Sequence, residues 1–300
     1  MSSKITPVFR EALKTRKANP LNLDLKNLNV AVVGGTGGLG QAISRFMAAR
    51  GANIWVIGQT FRDQDTANIN FIKADLSLMS EAERVAKTLP AEDLDMCIFT
   101  TGIFAAPKRQ VTDEGIERDL AVSFLSRLVI SRDIGTRLGK NRTGSTLKPR
   151  MFIMGFPGSG ELGKTEDLNQ EKAYSVFGAH MNTVAGNEML VLDAVKRFPE
   201  VRTFGLNPGL IKTSIRNNLF GENTFFSSTA EFLISLFTPT AETYAKNITA
   251  LLVSSELEEQ NGTMYGQNGA DKAASKGMTE EVVTRFLTAS EELLALKTGK

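Results

Sequence analysis

Three glycines near the start of the chain have the spacing of a loop that cradles a phosphate group. Gly34, Gly38 and Gly40 follow the apolar, β-branched run at residues 30–33, and a helical pattern comes next. Because glycine has no Cβ, it adopts positive φ and lets the backbone approach a pyrophosphate at the positive end of the following helix. A tight turn without a ligand is the alternative, since a lone glycine motif is weak evidence. The order strand, glycine loop, helix favours a nucleotide site.

Candidate proton donors lie farther along the chain. Tyr174 opens a helical pattern that extends to residue 197, and His180, the only histidine, comes six residues after it. A tyrosine near its reference pKa of about 10 is protonated at neutral pH and can donate to a developing alkoxide. Six residues correspond to about 240° of rotation on one continuous helix, so the two side chains would not share a face. His180 can act there only if the helix begins after Tyr174 or bends; otherwise it is a packed or surface residue.

Apolar runs that alternate with helical patterns must position these residues. Strand-like runs end near residues 33, 58, 75, 100, 154 and 206, with a further short strand near residues 263–265. This alternation predicts an α/β fold: a single Rossmann-fold domain, with a doubly wound parallel sheet and helices on both faces. We expect an N-terminal arm at residues 1–26 and the domain at residues 27–300. The Phe-rich residues 214–240 are interpreted as an insertion that acts as a substrate lid.

Composition excludes several classes of partner. The 35 basic and 33 acidic residues give a net charge of +2, which provides no field suited to nucleic acid or to an anionic membrane. No apolar run reaches the roughly 18 residues of a membrane span, so we expect no stable membrane insertion. The single cysteine, Cys97, cannot form an internal disulfide and suits a reducing compartment. A cytoplasmic protein with a buried thiol is expected, and no metal site is predicted.

Four motifs in order resemble the short-chain dehydrogenase/reductase family. The glycine loop is followed by Ala-Asp-Leu-Ser at residues 74–77, Thr-Gly-Ile at residues 101–103 and Asn-Pro-Gly-Leu-Ile-Lys-Thr at residues 207–213. The likeness covers roughly residues 28–270, and four ordered motifs make coincidence improbable. The chain is most similar to fungal members associated with aldehyde reduction, which share stretches such as Gly-Gln-Thr-Phe-Arg-Asp and His-Met-Asn-Thr-Val-Ala.

This resemblance implies a nicotinamide dinucleotide cofactor. The glycine loop would cradle the pyrophosphate, Asp75 would meet the adenine, and Ile211 with Thr213 would hold the nicotinamide amide. Asp75 could equally cap the following helix, which is an ordinary use of aspartate. The predicted cofactor-binding residues are Gly34, Thr36, Gly38, Leu39, Gly40, Gln59, Arg62, Asp75, Leu76, Thr101, Gly102, Pro208, Gly209, Ile211 and Thr213.

The end of the second strand bears on the choice between NAD and NADP. In Rossmann folds an acidic residue there accepts from the ribose hydroxyls and repels a 2′-phosphate, whereas a basic residue favours the phosphate. Here the strand ends in Gly58 and Gln59, with Arg62 and Asp63 just beyond. Arg62 could reach a 2′-phosphate, or it could be a solvated surface charge. The sequence favours NADP(H) and leaves NAD(H) open.

The catalytic positions depart from the family pattern. Members of the family use a tyrosine as proton donor, a serine on the carbonyl oxygen, a lysine four residues after the tyrosine and an asparagine on the preceding helix. In this chain Gly178 is the fourth residue after Tyr174, Ser123 stands at the asparagine position, and Ser159 is the nearest hydroxyl beyond the fifth strand. An alternative alignment puts Ser175 at the tyrosine position. The missing lysine favours reduction over alcohol oxidation.

The leading hypothesis is an NAD(P)H-dependent reductase of aldehydes or related small carbonyl compounds. Tyr174 would be the proton donor, assisted by Ser159, Ser123 or His180. One alternative is a repurposed family member that performs imine reduction, cyclisation or isomerisation on a biosynthetic intermediate. Another is a catalytically inactive nucleotide-sensing protein. Family members are often dimers or tetramers, so a homodimer or a homotetramer is compatible with the resemblance.

Overall fold

The computed structural model describes residues 23–143, 145–209 and 240–299. Most of the predicted N-terminal arm lies outside these residues. The predicted insertion, apart from Thr240, and the predicted nicotinamide contacts Ile211 and Thr213 also lie outside them.

The described strands form one sheet. They are β1 (Asn29–Val33), β2 (Asn53–Gly58), β3 (Ile69–Lys73), β4 (Met96–Phe99), β5 (Arg150–Met154), β6 (Arg202–Leu206), β7 (Met264–Tyr265) and β8 (Asp271–Lys272). Their order is β3-β2-β1-β4-β5-β6-β7-β8, with every pair parallel except β7 with β8. The chain moves outward from β1 in one direction and then, from β4, in the other. Ligands of open α/β sheets bind at such a switch point.

Helical segments cover both faces of this sheet. They are α1 (Gly38–Ala48), α2 (Met79–Thr88), α3 (Arg118–Leu120), α4 (Ser126–Ile134), α5 (Val176–Arg197), α6 (Ala241–Leu252) and α7 (Glu280–Thr298). A π-helical segment, Ala121–Leu125, joins α3 to α4.

The alternating side chains of β1 divide the core into two layers. Ala31 and Val33 pack in the layer that contains α2, α4, α5 and α7, whereas Val30 and Val32 pack in the layer that contains α1 and α6. All four side chains are fully buried, as expected for a parallel strand covered on both faces. The predicted single α/β domain with helices on both faces of a mostly parallel sheet is therefore confirmed.

Three local features differ from the predictions. The helix predicted to open at Tyr174 begins at Val176, because the Ser175 hydroxyl caps it by accepting from the Gly178 amide at 3.2 Å. The helical residues that begin at Arg118 contain the π-helical segment, which no sequence pattern predicts. The antiparallel strand β8 was not predicted, because its two polar residues carry no strand pattern.

Two other expectations concern the single cysteine and membrane-spanning helices. Cys97 lies in β4 without solvent exposure, and burial raises the pKa of its thiol. None of the helices in the described ranges is both long enough and apolar enough to cross a bilayer.

Candidate active site

A cleft of about 490 Å³ runs along the carboxyl ends of the strands, at the switch point between β1 and β4. The glycine loop and the start of α1 form one end of it, and residues of the π-helical segment and α5 form the other. Most of the predicted cofactor-binding residues line this one cleft: Gly34, Thr36, Gly38, Leu39, Gly40, Gln59, Asp75, Leu76, Thr101, Gly102 and Pro208.

The glycine loop forms a cradle that side chains would fill. Gly34 has a φ of +92°, and a Cβ at this position would lie 2.5 Å from the backbone nitrogen of Thr101. Gly37 is the N-cap of α1 and supplies no side-chain cap. The amides of the first helical turn are therefore available to an anion at the positive end of the helix dipole. This geometry fits the pyrophosphate of a dinucleotide.

Arg62 reaches back to the glycine loop from the segment after β2. Its Nη1 donates to the backbone oxygen of Thr36 at 2.7 Å, and the side chain is exposed at the mouth of the cradle. The neighbouring carboxylate of Asp63 is buried and forms an ion pair with Arg45, and it also accepts from Gln41 at 3.0 Å. The Asp63 carboxylate is thus directed away from the cradle, whereas the Arg62 guanidinium is directed toward it.

Asp75 lies in the cleft wall and does not cap the following helix. One of its carboxylate oxygens accepts from the Ser77 amide at 3.0 Å. Burial raises the pKa of Asp75, but hydrogen bonds from Ser77 and Gln59 outweigh burial and hold it below its ordinary value. The first amides of α2 are capped instead by Glu114, which accepts from the Ser80 amide at 3.0 Å. Asp75 is therefore an ionised acceptor at neutral pH.

The end of the cleft near β4 contains an unpaired polar atom. The Thr101 hydroxyl is buried and has no hydrogen-bond partner among the described residues. Gly209, by contrast, is not in the lining: its φ is +67°, and it faces Gln267.

One wall of the cleft carries a polar stripe on α3, the π-helical segment and α4. Asp119, Ser123 and Arg127 are spaced four residues apart, and all three are buried. The Ser123 hydroxyl donates to Asp119 Oδ1 at 2.5 Å and accepts from the Ile103 amide at 3.0 Å. π-helical turns widen a helix locally and occur frequently at functional sites.

The opposite wall is one face of α5. His180, Thr183, Val184 and Asn187 line the cleft with the i, i+3, i+4, i+7 spacing of a single helical face. His180 Nδ1 lies 2.7 Å from Asp119 Oδ2. The imidazole also stacks on the ring of Phe104, with 3.9 Å between the ring centroids. Because α5 begins after Tyr174, the rotation argument against His180 does not apply.

Tyr174 and Ser159 lie outside the cleft lining. The Tyr174 hydroxyl donates to the backbone oxygen of Ala106. Burial, together with the charges of Glu117 and Asp119, raises the pKa of this phenol. The Ser159 hydroxyl accepts from the Glu161 amide at 3.4 Å in the loop that follows β5. Of the four predicted catalytic residues, the structure brings Ser123 and His180 together in the cleft and leaves Tyr174 and Ser159 outside it.

Arg127 lies fully inside the protein at the base of the cleft. Its guanidinium donates to the backbone oxygens of Thr101 and Met154, at the ends of β4 and β5, and to Asn187. Burial lowers the pKa of Arg127 to about 9, and the negative charge of Asp119 opposes this shift. A buried cation thus lines the cleft, and the buried carboxylate of Asp119, which is not itself in the lining, lies near enough to affect its pKa.

Sequence reasoning missed Asp119, Arg127 and Asn187. A signal was present: Asp119, Ser123 and Arg127 form a polar stripe at i, i+4 and i+8 on a helix whose other positions are largely apolar. Charged residues are rarely buried without a partner, so such a stripe indicates a polar network.

The residues of the cleft fit a nicotinamide dinucleotide. The cradle and the uncapped start of α1 suit its phosphates, Asp75 offers an acceptor, and the buried Thr101 hydroxyl can pair with a polar group of the ligand. Within the described part of the chain, no cluster of His, Cys, Asp or Glu side chains is arranged to hold a metal ion.

Comparison with known proteins gives the family. No protein-family profile matches the chain. It is 51% identical over 282 residues to an uncharacterised oxidoreductase of Saccharomyces cerevisiae, covering 93% of this chain and 91% of that protein. It is 23% identical to human retinol dehydrogenase 12, covering 92% and 89% of the two chains. A short-chain dehydrogenase/reductase from Serratia marcescens has the same fold, with a TM-score of 0.58, 16% identity, and coverage of 83% and 100%. The chain belongs to the same oxidoreductase family as the yeast protein, and it has the fold of the short-chain dehydrogenase/reductases.

Proposed function

We propose that the protein is an NAD(P)H-dependent reductase that converts aldehydes or related small carbonyl compounds to alcohols. The observation that supports this best is the glycine cradle at the start of α1, continuous in one cleft with polar side chains of α5 and the π-helical segment. When bound, the reduced cofactor supplies a hydride to the carbonyl carbon. The tasks left to the chain's own residues are to hold the phosphates, orient the carbonyl and supply one proton.

The far end of the cleft combines apolar and polar groups. Phe104, Phe156 and Val184 line it together with Ser123 and His180. Apolar side chains can hold the body of a small carbonyl compound while a few polar groups orient its oxygen. The name of the human relative refers to retinol, an alcohol, which supports a substrate pair of alcohol and aldehyde.

NADP(H) is the proposed form of the cofactor. Arg62 is exposed at the mouth of the cradle, where an arginine can bind a 2′-phosphate, and Asp63 is occupied by Arg45 and Gln41. Asp63, the first carboxylate after β2, is thus not presented to the ribose hydroxyls that NAD-specific Rossmann folds bind through an acid. This arrangement supports the phosphate-bearing cofactor.

The test combines binding with turnover. NADPH and NADH are titrated separately while cofactor fluorescence is followed, and NADPH oxidation is then measured with a panel of aliphatic and aromatic aldehydes. We expect NADPH to bind more tightly than NADH, and at least one aldehyde to yield its alcohol, identified by mass spectrometry. If NADPH binds but no carbonyl compound oxidises it, the result would contradict the proposal and favour nucleotide sensing. Reduction confined to C=N compounds would favour the repurposed alternative.

A further inference from the structure

The cleft wall limits which group can supply a proton. Tyr174 and Ser159 are not among the lining residues. The Ser123 hydroxyl does line the cleft, but it already donates to Asp119 and accepts from the Ile103 amide. His180 also lines the cleft, and among the described residues its Nε2 has no hydrogen-bond partner. His180 is therefore the candidate donor with a nitrogen free for a ligand.

Asp119 fixes the imidazole in the orientation that this role needs. Its side chain has no solvent exposure, and its two oxygens are divided between His180 Nδ1 and the Ser123 hydroxyl. A carboxylate that accepts a hydrogen bond from Nδ1 keeps the ring hydrogen on that nitrogen and directs Nε2 outward. It also stabilises the positively charged ring. The Phe104 ring, stacked 3.9 Å away between centroids, packs against the imidazole and restricts its rotation.

We propose that His180, oriented by Asp119, donates the proton from Nε2 to the carbonyl oxygen of the substrate. This inference rests on the reductase function proposed above, and it assigns to a histidine–aspartate pair the proton transfer that the family resemblance assigns to a tyrosine. Asp119 and Ser123 are positioning residues in this scheme, since they act through His180.

The step balances. The carbonyl carbon gains the hydride with its two electrons, and the electron pair of the C=O π bond moves to the oxygen. The oxygen takes the proton of the positively charged His180, so that one C–H bond and one O–H bond form while the C=O π bond and the Nε2–H bond break. The product is the alcohol, and solvent returns a proton to the neutral imidazole.

The first test uses the fact that the chain has one histidine in 300 residues. Nitrogen-15-labelled histidine therefore gives a single imidazole signal, whose chemical shifts report the tautomer without any measurement of turnover. In the NADPH complex we expect the neutral ring to carry its hydrogen on Nδ1. The hydrogen should redistribute toward Nε2 in Asp119→Asn, because the ionised acceptor is lost. A wild-type ring with its hydrogen on Nε2 would overturn the inference.

The second test separates binding from proton transfer. His180→Gln should lower kcat by at least about 100-fold, the usual contribution of a general acid, while the Kd for NADPH changes less than twofold. Asp119→Asn should lower kcat in the same direction, and added imidazole should partly restore activity to His180→Ala. Asp193→Asn is the matched control: this aspartate of α5 also accepts from a basic side chain, at 3.0 Å from Arg197, but lies outside the cleft lining. Its kcat should equal that of wild type.

The outcomes distinguish this inference from the proposed function. The histidine assignment is overturned if His180→Gln keeps the wild-type kcat. It is also overturned if Tyr174→Phe loses activity while His180→Gln loses none. Either result leaves the reductase function standing. A wild-type protein that binds NADPH and reduces no carbonyl overturns both.

Discussion

The guanidinium of Arg127 and the carboxamide of Asn187 meet beneath the cleft, with Nη1 donating to Oδ1 at 2.8 Å. Asn187 Nδ2 in turn donates to the backbone oxygens of Ser123 and Thr183, at 2.8 and 2.7 Å. One buried pair thus connects α4, α5 and the π-helical segment, and Arg127 extends the connection to the ends of β4 and β5. The network holds the two walls that carry Asp119 and His180 at a fixed separation.

Arg127→Met should destabilise the protein. The substitution leaves the backbone oxygens of Thr101 and Met154 and the Asn187 carboxamide without their donor inside the protein, and it leaves Asp119 without the nearby opposite charge. We expect the free energy of unfolding, measured by urea denaturation, to fall by about 3 kcal/mol. Arg127→Lys, which keeps the charge but not the planar fork, should lose less. A change below about 1 kcal/mol in Arg127→Met would show that the network contributes little to stability.

Gly34→Ala should weaken cofactor binding. A Cβ at Gly34 would lie 2.5 Å from the Thr101 nitrogen, and the φ of +92° is strained for any other residue. We expect NADPH titration to show at least a tenfold weaker Kd, about 1.4 kcal/mol, together with a lower thermal midpoint. Gly266→Ala is the matched control, because a Cβ there meets only ordinary contacts, at 3.5 Å from the Ala270 oxygen. Equal NADPH affinity in both variants would argue against the cradle.

Arg62→Ala should change cofactor preference while leaving the fold unchanged. The exposed guanidinium is held near the cradle by its bond to the Thr36 oxygen, so its removal takes away the proposed partner of the 2′-phosphate. The Kd for NADPH should rise about tenfold or more, corresponding to the loss of a charge-assisted contact, and the Kd for NADH should stay the same. Arg285→Ala, on the exposed side of α7, is the control. Equal weakening for both cofactors would contradict the assignment.

Asp193 should make the folding stability of the protein more sensitive to acidic pH. Burial raises the pKa of Asp193, but hydrogen bonds from Arg197 and Arg132 outweigh burial and leave it below the ordinary value. A carboxyl group with a lowered pKa in the folded state stabilises the protein above its unfolded-state pKa of about 4, and this contribution is lost as the pH falls through the folded-state value. The urea midpoint should therefore fall less between neutral and acidic pH in Asp193→Asn than in wild type. Asp65→Asn, at an exposed position, should behave like wild type.

Sequence patterns predicted the parts of the fold that follow from burial. The β-branched and aromatic runs of β1 to β6 need two covering layers, and the alternation with helices leaves few other arrangements. The cradle followed from Gly34, Gly38 and Gly40, because a Cβ at Gly34 or Gly40 would clash with neighbouring atoms and Gly38 has a positive φ. In contrast, β8 has two polar residues whose pairing depends on β7 alone.

The polar chemistry of the cleft could not be predicted in the same way. Asp119 meets His180 across a sequence separation of 61 residues, and this contact depends on where α5 begins and on the π-helical turn. The helix start follows from the Ser175 cap, which competes with a longer helix from Tyr174. Residue spacing predicts which side chains share one face of a helix. It does not predict which face of the neighbouring helix they contact.

Because of the π-helical segment Ala121–Leu125, the number of residues in one cleft wall can change by one without loss of the wall. A π turn accommodates one more residue than the α-helix around it, so a deletion of one residue there lets the wall close into a regular α-helix while α3 and α4 keep their packing. Ser123 would then leave its place between Asp119 and Ile103 although no charged or catalytic side chain had been exchanged. If Ser123 positions Asp119 and His180 as proposed, a change of one residue in chain length should therefore alter the proton transfer without altering the glycine cradle.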